Sequence, residues 1–312
     1  MKVFLQPASR GRGSIREGLL KLFFLANGLV SIIVLILIFA FIFGEGLPAI
    51  QERGILEFLI GTRWNPTSYV HVSFGTVPLM LGTAMVTVIA MVIAVPWGIG
   101  SAAYISEAAH PKIREIIKPV IEILAILPSV VIGFIALVIV APAIAKIFGL
   151  SSGLTALTGG LMLSLMALPT IVSIAEDAIH AVPQQYREAS YALGATKWQT
   201  IRHTVIPTAL SGIIASVMLG MGRAIGETMT VLMATGNVLK MPITELFGIP
   251  LPDFLAPIRT MTATIVIEGL ETPAGSLHWH ALFVVGTILF LITFAINLVA
   301  DIILHRYMEV AE

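Results

Sequence analysis

Glu188-Ala-Ser-Tyr-Ala-Leu-Gly194-Ala-Thr-Lys-Trp-Gln-Thr-Ile-Arg-His-Thr-Val-Ile-Pro207 is a polar, patterned segment set between two long apolar runs. It is too polar to cross a bilayer and too regular to be a disordered linker. Pro183 can open a helix at its first turn, and Glu188, Ala189, Ala192 and Leu193 then recur at helical spacing. Gly194 suits a helix end that needs left-handed backbone. Thr196-Lys-Trp-Gln199 has the capping-box pattern that starts a helix. The expectation for residues 176–207 is a loop of two short helices joined at a glycine, lying against one face of a membrane.

Working outward, the chain is charge-poor and apolar. Of 312 residues, 57% are hydrophobic and 12% charged, and the mean hydropathy is +0.97. Soluble domains carry about a quarter charged residues, so the solvent that fits is lipid. A helix needs about 20 apolar residues to cross the hydrocarbon core. Such runs fall at Leu22–Gly44, 76–104, Ile123–Ala145, Leu150–Ala175 (ended by Glu176 and Asp177), Thr208–Leu239 (interrupted by Arg223 and Glu227) and Ala281–Ala300. The first run is too long for a signal-peptide core and reads as a retained span. Six spans make an all-α polytopic membrane protein, one domain over 1–312, with loops at 45–75 and 240–280 on the outer side.

Basic residues set the orientation. Lys2, Arg10, Arg12, Arg16, Lys21, Lys112, Arg114, Lys118, Arg187, Lys197, Arg202 and Arg306 are twelve on one side. Arg53, Arg63, Lys146, Lys240 and Arg259 are five on the other. Both termini are thereby expected in the cytoplasm. Pro78, Pro96, Pro128, Pro142 and Pro169 fall inside the proposed spans and predict kinks, read either as packing geometry or as a pore of bent helices.

Several function classes drop out. Eighteen basic and eighteen acidic residues cancel, which leaves no case for a nucleic-acid partner. With no cysteine, a thiolate metal site and a cysteine nucleophile are excluded. The chain has no Gly-x-x-x-x-Gly-Lys-Ser/Thr, so it holds no ATP-binding cradle of that kind. It also lacks Gly-x-Ser-x-Gly and His-Glu-x-x-His, which leaves an intramembrane hydrolase without machinery. His278-x-His280 beside Trp279 reads as a membrane-boundary position rather than a metal site.

The loop carries a resemblance. Glu188-Ala189-Ser190, three residues, Gly194, nine residues and Thr204-Val205-Ile206-Pro207 are similar to the Glu-Ala-Ala loop of bacterial ABC importer permeases, with Ser190, Thr204 and Ile206 as mild departures. The resemblance implies the MetI-like permease fold and docking of this loop on a separate ATPase, through Glu188, Ala189, Ser190, Gly194, Ile206 and Pro207. ATP and Mg would belong to those partner subunits and no cofactor to this chain.

More of the chain resembles the phosphate-specific branch. The stretches are Trp64-Asn-Pro66, Phe74-Gly75, Tyr104-Ile-Ser-Glu107, Lys118-Pro119, Leu127-Pro-Ser129, Gly222-Arg-Ala-Ile-Gly-Glu-Thr228 and Met229 to Asn237, the last similar to the C-type (PstC) permease rather than the A-type. The implied partners are a homologous PstA-like permease, two PstB-like ATPase subunits, a PstS-like extracytoplasmic binding protein and phosphate. A related oxyanion, the A-type role and an ATP-independent channel or carrier are the competing readings.

Arg223 and Glu227 carry the sharpest chemistry in the apolar runs. Ionisable residues inside a span face a cavity or a partner, and at i and i+4 these two share one helical face. They are read either as an ion pair joining helices or as a charge pair lining an anion path, where the arginine fork suits phosphate oxygens. In the second reading Glu227 offsets Arg223, so that an anion is attracted without being trapped. Ser129, Thr228 and Asn237 are possible neutral contributors to such a path.

Overall fold

The computed structural model describes residues 13–68, 71–246 and 249–309. Lys2 and Arg10-Gly-Arg12, counted above in the basic N-terminal segment, lie outside them. α1 (Gly13–Arg53) is followed by a short α2 (Ile55–Ile60) and the paired strands β1 (Trp64–Asn65) and β2 (Ser73–Phe74). α3 (Val77–Ala103) runs on through a π-helical turn at Tyr104–Ala108. α4 (Pro111–Ile126), α5 (Ser129–Ile135) and α6 (Ala141–Phe148) follow, the last two joined by a π-helical turn. α7 is Ala156–His180. The loop region gives α8 (Gln184–Ala192), α9 (Lys197–Thr200) and α10 (Ile206–Thr208), then come α11 (Leu210–Gly226) and α12 (Met229–Ala234). A strand pair, β3 (Ile243–Leu246) with β4 (Ile249–Pro252), precedes α13 (Met261–Gly269) and α14 (Leu277–Glu309).

Among the described residues, five helical stretches are long and apolar enough to cross a membrane, and a sixth arises if the segment 197–208 and α11, bent by 70° at Ala209, count as one. Against the six expected crossings, the described residues thus give five, or six with that bent segment, and the boundaries move: the fifth expected run, 208–239, breaks at Glu227 and its last helix stops at Ala234. The third run does not span from Ile123. The chain breaks at Leu127-Pro128, where Leu127 is extended (ψ 130), and restarts at Ser129. A residue before proline is pushed out of the helical region by the ring. Of the five span prolines, Pro96 and Pro169 lie in the interiors of α3 and α7, Pro142 lies within the continuous crossing Ser129–Phe148 just after its π-helical turn, and Pro78 opens α3. The fourth crossing does not end at Glu176-Asp177 but continues to His180.

Two cations make that continuation possible. Glu176 is 2% exposed, accepts from Arg114, and accepts from Lys118 Nζ at 2.7 Å. A buried carboxylate left alone would be costly; here α4 supplies both partners and is tied to the end of α7. The hydrogen bond to Glu176 holds the Lys118 ammonium above its ordinary value of 10.5 against the opposing effect of partial burial, so it stays charged throughout the physiological range.

The helices pack on small residues, as lipid-solvated helices do. A Cβ at Gly98 or Gly220 would meet the Ile171 side chain at 2.7 or 2.6 Å, so α3 and α11 both close tightly on α7. Ala102, Ile105, Val172, Ile179, Val205 and Ile213 form a core at the end carrying the α8–α9 hairpin. Phe58, Trp64, Phe74, Leu79, Met261 and Val285 form another at the far end. α1 instead presents Phe23, Phe24, Ile36 and Leu37 outward, which lipid accepts and water would not.

The turn into α7 contains the tightest approach. A Cβ at Gly153 would lie 1.7 Å from the Ala141 carbonyl oxygen, and backbone there cannot give way. Gly153→Ala is expected to cost at least the ~1–3 kcal/mol typical of overpacking. A lower thermal midpoint and reduced membrane abundance are the expected readouts; an unchanged midpoint would refute the close packing.

Candidate functional site

Three interrupted segments meet in the middle of the bundle. The first is the break at Pro128. The second lies at Glu227, where α11 stops because Glu227 is extended (φ −69, ψ 134) and α12 restarts two residues on. The third is the entry to α13, where Thr262 Oγ1 donates to the Glu227 carbonyl at 3.0 Å and the Met261 amide donates to Thr83 Oγ1 at 3.0 Å. Irregular backbone at membrane depth is tolerated where protein or a polar cavity satisfies it. Thr230 Oγ1 joins two of the breaks by donating to the Ser129 carbonyl at 3.1 Å.

The expected helical Arg223–Glu227 face does not form. Glu227 lies beyond the helix end, and its carboxylate instead accepts the Thr230 amide at 3.2 Å. Arg223 donates Nη1 to Thr170 Oγ1 at 3.1 Å and Nη2 to the Ala125 carbonyl at 3.2 Å. Both acceptors are neutral, and among the described residues Arg223 has no ion pair. No carboxylate among the described residues therefore lies within ion-pair distance of its guanidinium. Both residues are half-buried, with Gly226 and Met229 beside them exposed, so the cluster opens on one side.

Of the neutral candidates, Ser129 and Thr228 lie at the two breaks. Thr228 Oγ1 donates to the Gly226 carbonyl at 3.3 Å. Asn237 lies outside this cluster. It has φ 54, its Nδ2 donates to the Leu232 carbonyl, and its carbonyl accepts Arg259 Nε at 3.1 Å. Arg259 belongs to a far-end network around Glu268, which takes Arg259 Nη1 at 2.6 Å and Trp64 Nε1 at 2.9 Å and is bonded to His278 Nε2 at 2.8 Å. Composition offered no signal for this network, because Trp64 lies 204 residues before the Glu268 it bonds. Above it, a cleft of about 590 Å³ is lined by Thr62, Arg63, Trp64, Asn65, Leu239, Lys240 and Met241. Its two cations have no ion pair among the described residues. A second concavity, about 440 Å³ between α3, α11 and α14, is apolar and offers an anion nothing.

At the opposite end the hairpin forms as its sequence predicts. Gly194 has φ +83, and the Thr196–Gln199 capping box is complete. Helix α8 begins at Gln184, one residue after Pro183. Ser190, where the resemblance expects alanine, bonds Thr200 Oγ1 at 2.9 Å and ties the two helices together. Glu188, Ala189, Gly194 and Pro207 are exposed, while Ile206 packs on the hairpin-end core.

A bundle of five or six membrane-length crossings, broken near a half-buried arginine and carrying an exposed helical hairpin at one end, is the architecture of a membrane transport subunit. Residues 94–309 match the sequence profile of the binding-protein-dependent transport system inner membrane component, and the chain belongs to that family. It is 36% identical over 286 residues to the probable ABC transporter permease protein YqgH of Bacillus subtilis, covering 91% of this chain and 88% of that one. It is 36% identical over 269 residues to the phosphate transport system permease protein PstC of Mesorhizobium japonicum, covering 80% and 78%. The fold matches a bacterial ABC transporter involved in alginate import with a TM-score of 0.61 at 14% identity, over 94% of this chain and 99% of that one. It also matches the MetNI methionine transporter with a TM-score of 0.53 at 18% identity, over 75% and 94%.

Proposed function

We propose that this chain is the membrane-spanning permease subunit of an ATP-driven phosphate importer, of the PstC type, and that it forms one half of the translocation path. The observation that carries this is Arg223: a guanidinium with only neutral partners, placed where three broken segments meet, in a chain whose relatives include phosphate permeases. A fork that is charged at any relevant pH suits the oxygens of phosphate. Glu227, Ser129, Thr228 and Thr230 supply the polar surroundings, and a homologous PstA-like chain covers the open side.

Both termini lie in the cytoplasm in this reading, which puts Arg63 and Lys240 at the outer mouth, where a PstS-like binding protein delivers phosphate. Two PstB-like subunits hold ATP and Mg and act on the 184–207 hairpin through Glu188, Ala189, Ser190, Gly194, Ile206 and Pro207. Moving the path between outward and inward access requires contacts that differ between the two states, and the segment breaks at Pro128 and Glu227 are the joints at which they change. Uptake of labelled phosphate in the presence of excess sulfate or molybdate tests the reading. Competition by unlabelled phosphate alone is expected; equal competition by the other oxyanions, or uptake that persists without the ATPase, would contradict it.

A further inference from the structure

Arg187 immediately precedes Glu188, yet it is buried while its hairpin neighbours are exposed, at 8% of its accessible surface. Every nitrogen of its guanidinium is engaged. Nε donates to Glu107 Oε1 at 3.1 Å and Oε2 at 3.3 Å, and Nη2 donates to Glu107 Oε1 and to the Ile179 carbonyl at 3.0 Å. Nη1 donates to the Val182 carbonyl. Glu107 lies in the π-helical turn Tyr104–Ala108 at the end of α3. Such turns interrupt the regular helical ladder and are common at functional positions.

Among the described residues, Arg187 makes the only side-chain hydrogen bonds that join the segment 184–208 to the membrane helices. The Ser190–Thr200, Thr196–Gln199 and Thr208–Thr204 bonds are internal to that segment. Beyond the chain's own continuity into α7 and α11, the remaining attachment is apolar, with Val205 and Ile206 in the core that also holds Ile105, Ala175 and Ile179. Apolar contact resists separation but has no direction and lets surfaces slide. A buried, forked ion pair adds little net stability over well-packed apolar residues, but its geometry fixes distance and angle.

We propose that Arg187 and Glu107 form a strut that delivers displacement of the hairpin to α3, and so couples ATP hydrolysis to opening of the path. The strut rests on the proposed role of the hairpin, and the two residues are positioning residues that contact neither phosphate nor ATP. α3 is the element on which the strut acts because it packs along α7 through Gly98 and reaches the α13 entry through Thr83.

The test is phosphate moved per ATP hydrolysed by the complete transporter with its binding protein in proteoliposomes. Glu107→Gln is expected to keep ATP hydrolysis within about twofold of wild type and to lower the phosphate-to-ATP ratio at least fivefold. Because Glu107→Gln leaves a buried arginine without its counter-ion and can lower abundance, a double variant, Glu107→Leu with Arg187→Met, accompanies it. This pair removes both charges and is expected to recover normal abundance while the ratio stays low. A wild-type ratio in either variant would overturn the strut. Uptake and hydrolysis falling together, in step with the amount of assembled complex, would also overturn it and leave a structural pair. A wild-type complex that hydrolyses ATP without moving phosphate would instead count against the proposed function, and the strut would fall with it.

Discussion

Arg223→Gln is expected to lower phosphate uptake by about ten- to a hundredfold while the chain still accumulates in the membrane. The guanidinium bonds only Thr170 Oγ1 and the Ala125 carbonyl, so the variant loses two modest bonds, and an amide can still make one of them. What disappears is a positive charge with no ion-pair partner among the described residues, and a hydrogen bond from a charged group to an anion contributes about 1.5–3 kcal/mol. That range corresponds to about one to two decades in affinity. Arg223→Lys keeps the charge but loses the planar fork, and its uptake should fall between glutamine and wild type. Initial uptake rates normalised to membrane abundance decide the matter. Wild-type uptake in Arg223→Gln would remove the arginine from the path.

Leu193→Asp is expected to abolish uptake for a different reason. Leu193 is 90% exposed at the end of α8, beside the left-handed Gly194 that turns the hairpin, with Trp198 65% exposed nearby. A substitution at so exposed a site usually changes folding stability by no more than about 0.5 kcal/mol. If the hairpin tip is a docking knob, burying an aspartate there should cost the 2 kcal/mol or more typical of an interface hot spot, a loss of about thirtyfold or greater in affinity. The variant should therefore be present in normal amounts, purify without its ATPase, and transport nothing. Retention of a bound ATPase would show that docking lies elsewhere.

The two predictions differ in how far sequence supports them. The hairpin was legible almost to the residue, because caps and turns are local. Gly194 needs only its own backbone, and the Thr196–Gln199 box closes over three residues. Five of the six expected crossings were legible too, since hydropathy responds to charge-free length, while the fifth run emerges as a bent and broken segment. The breaks were not. An apolar run looks continuous across Leu127-Pro128, and nothing in its hydropathy shows that the ring of Pro128 ends one helix and starts another. Spacing placed Arg223 and Glu227 on one face only on the assumption of unbroken helix, which Glu227 violates.

Pairs distant in sequence were the other blind spot. Glu176 reads as the end of a span until Arg114 and Lys118, on another helix, are seen to neutralise it. Arg187 reads as one more surface cation until Glu107, 80 residues earlier, is found against it. In both cases a charge became compatible with burial only through a partner that tertiary structure supplies.

Purifying the tagged chain from membranes and measuring ATP hydrolysis by whatever accompanies it tests the central claim most directly. A bound ATPase whose turnover rises when phosphate-loaded binding protein is added, and does not rise with sulfate-loaded protein, is the result expected. A preparation that contains no ATPase, or hydrolysis indifferent to the phosphate-loaded protein, would contradict the account.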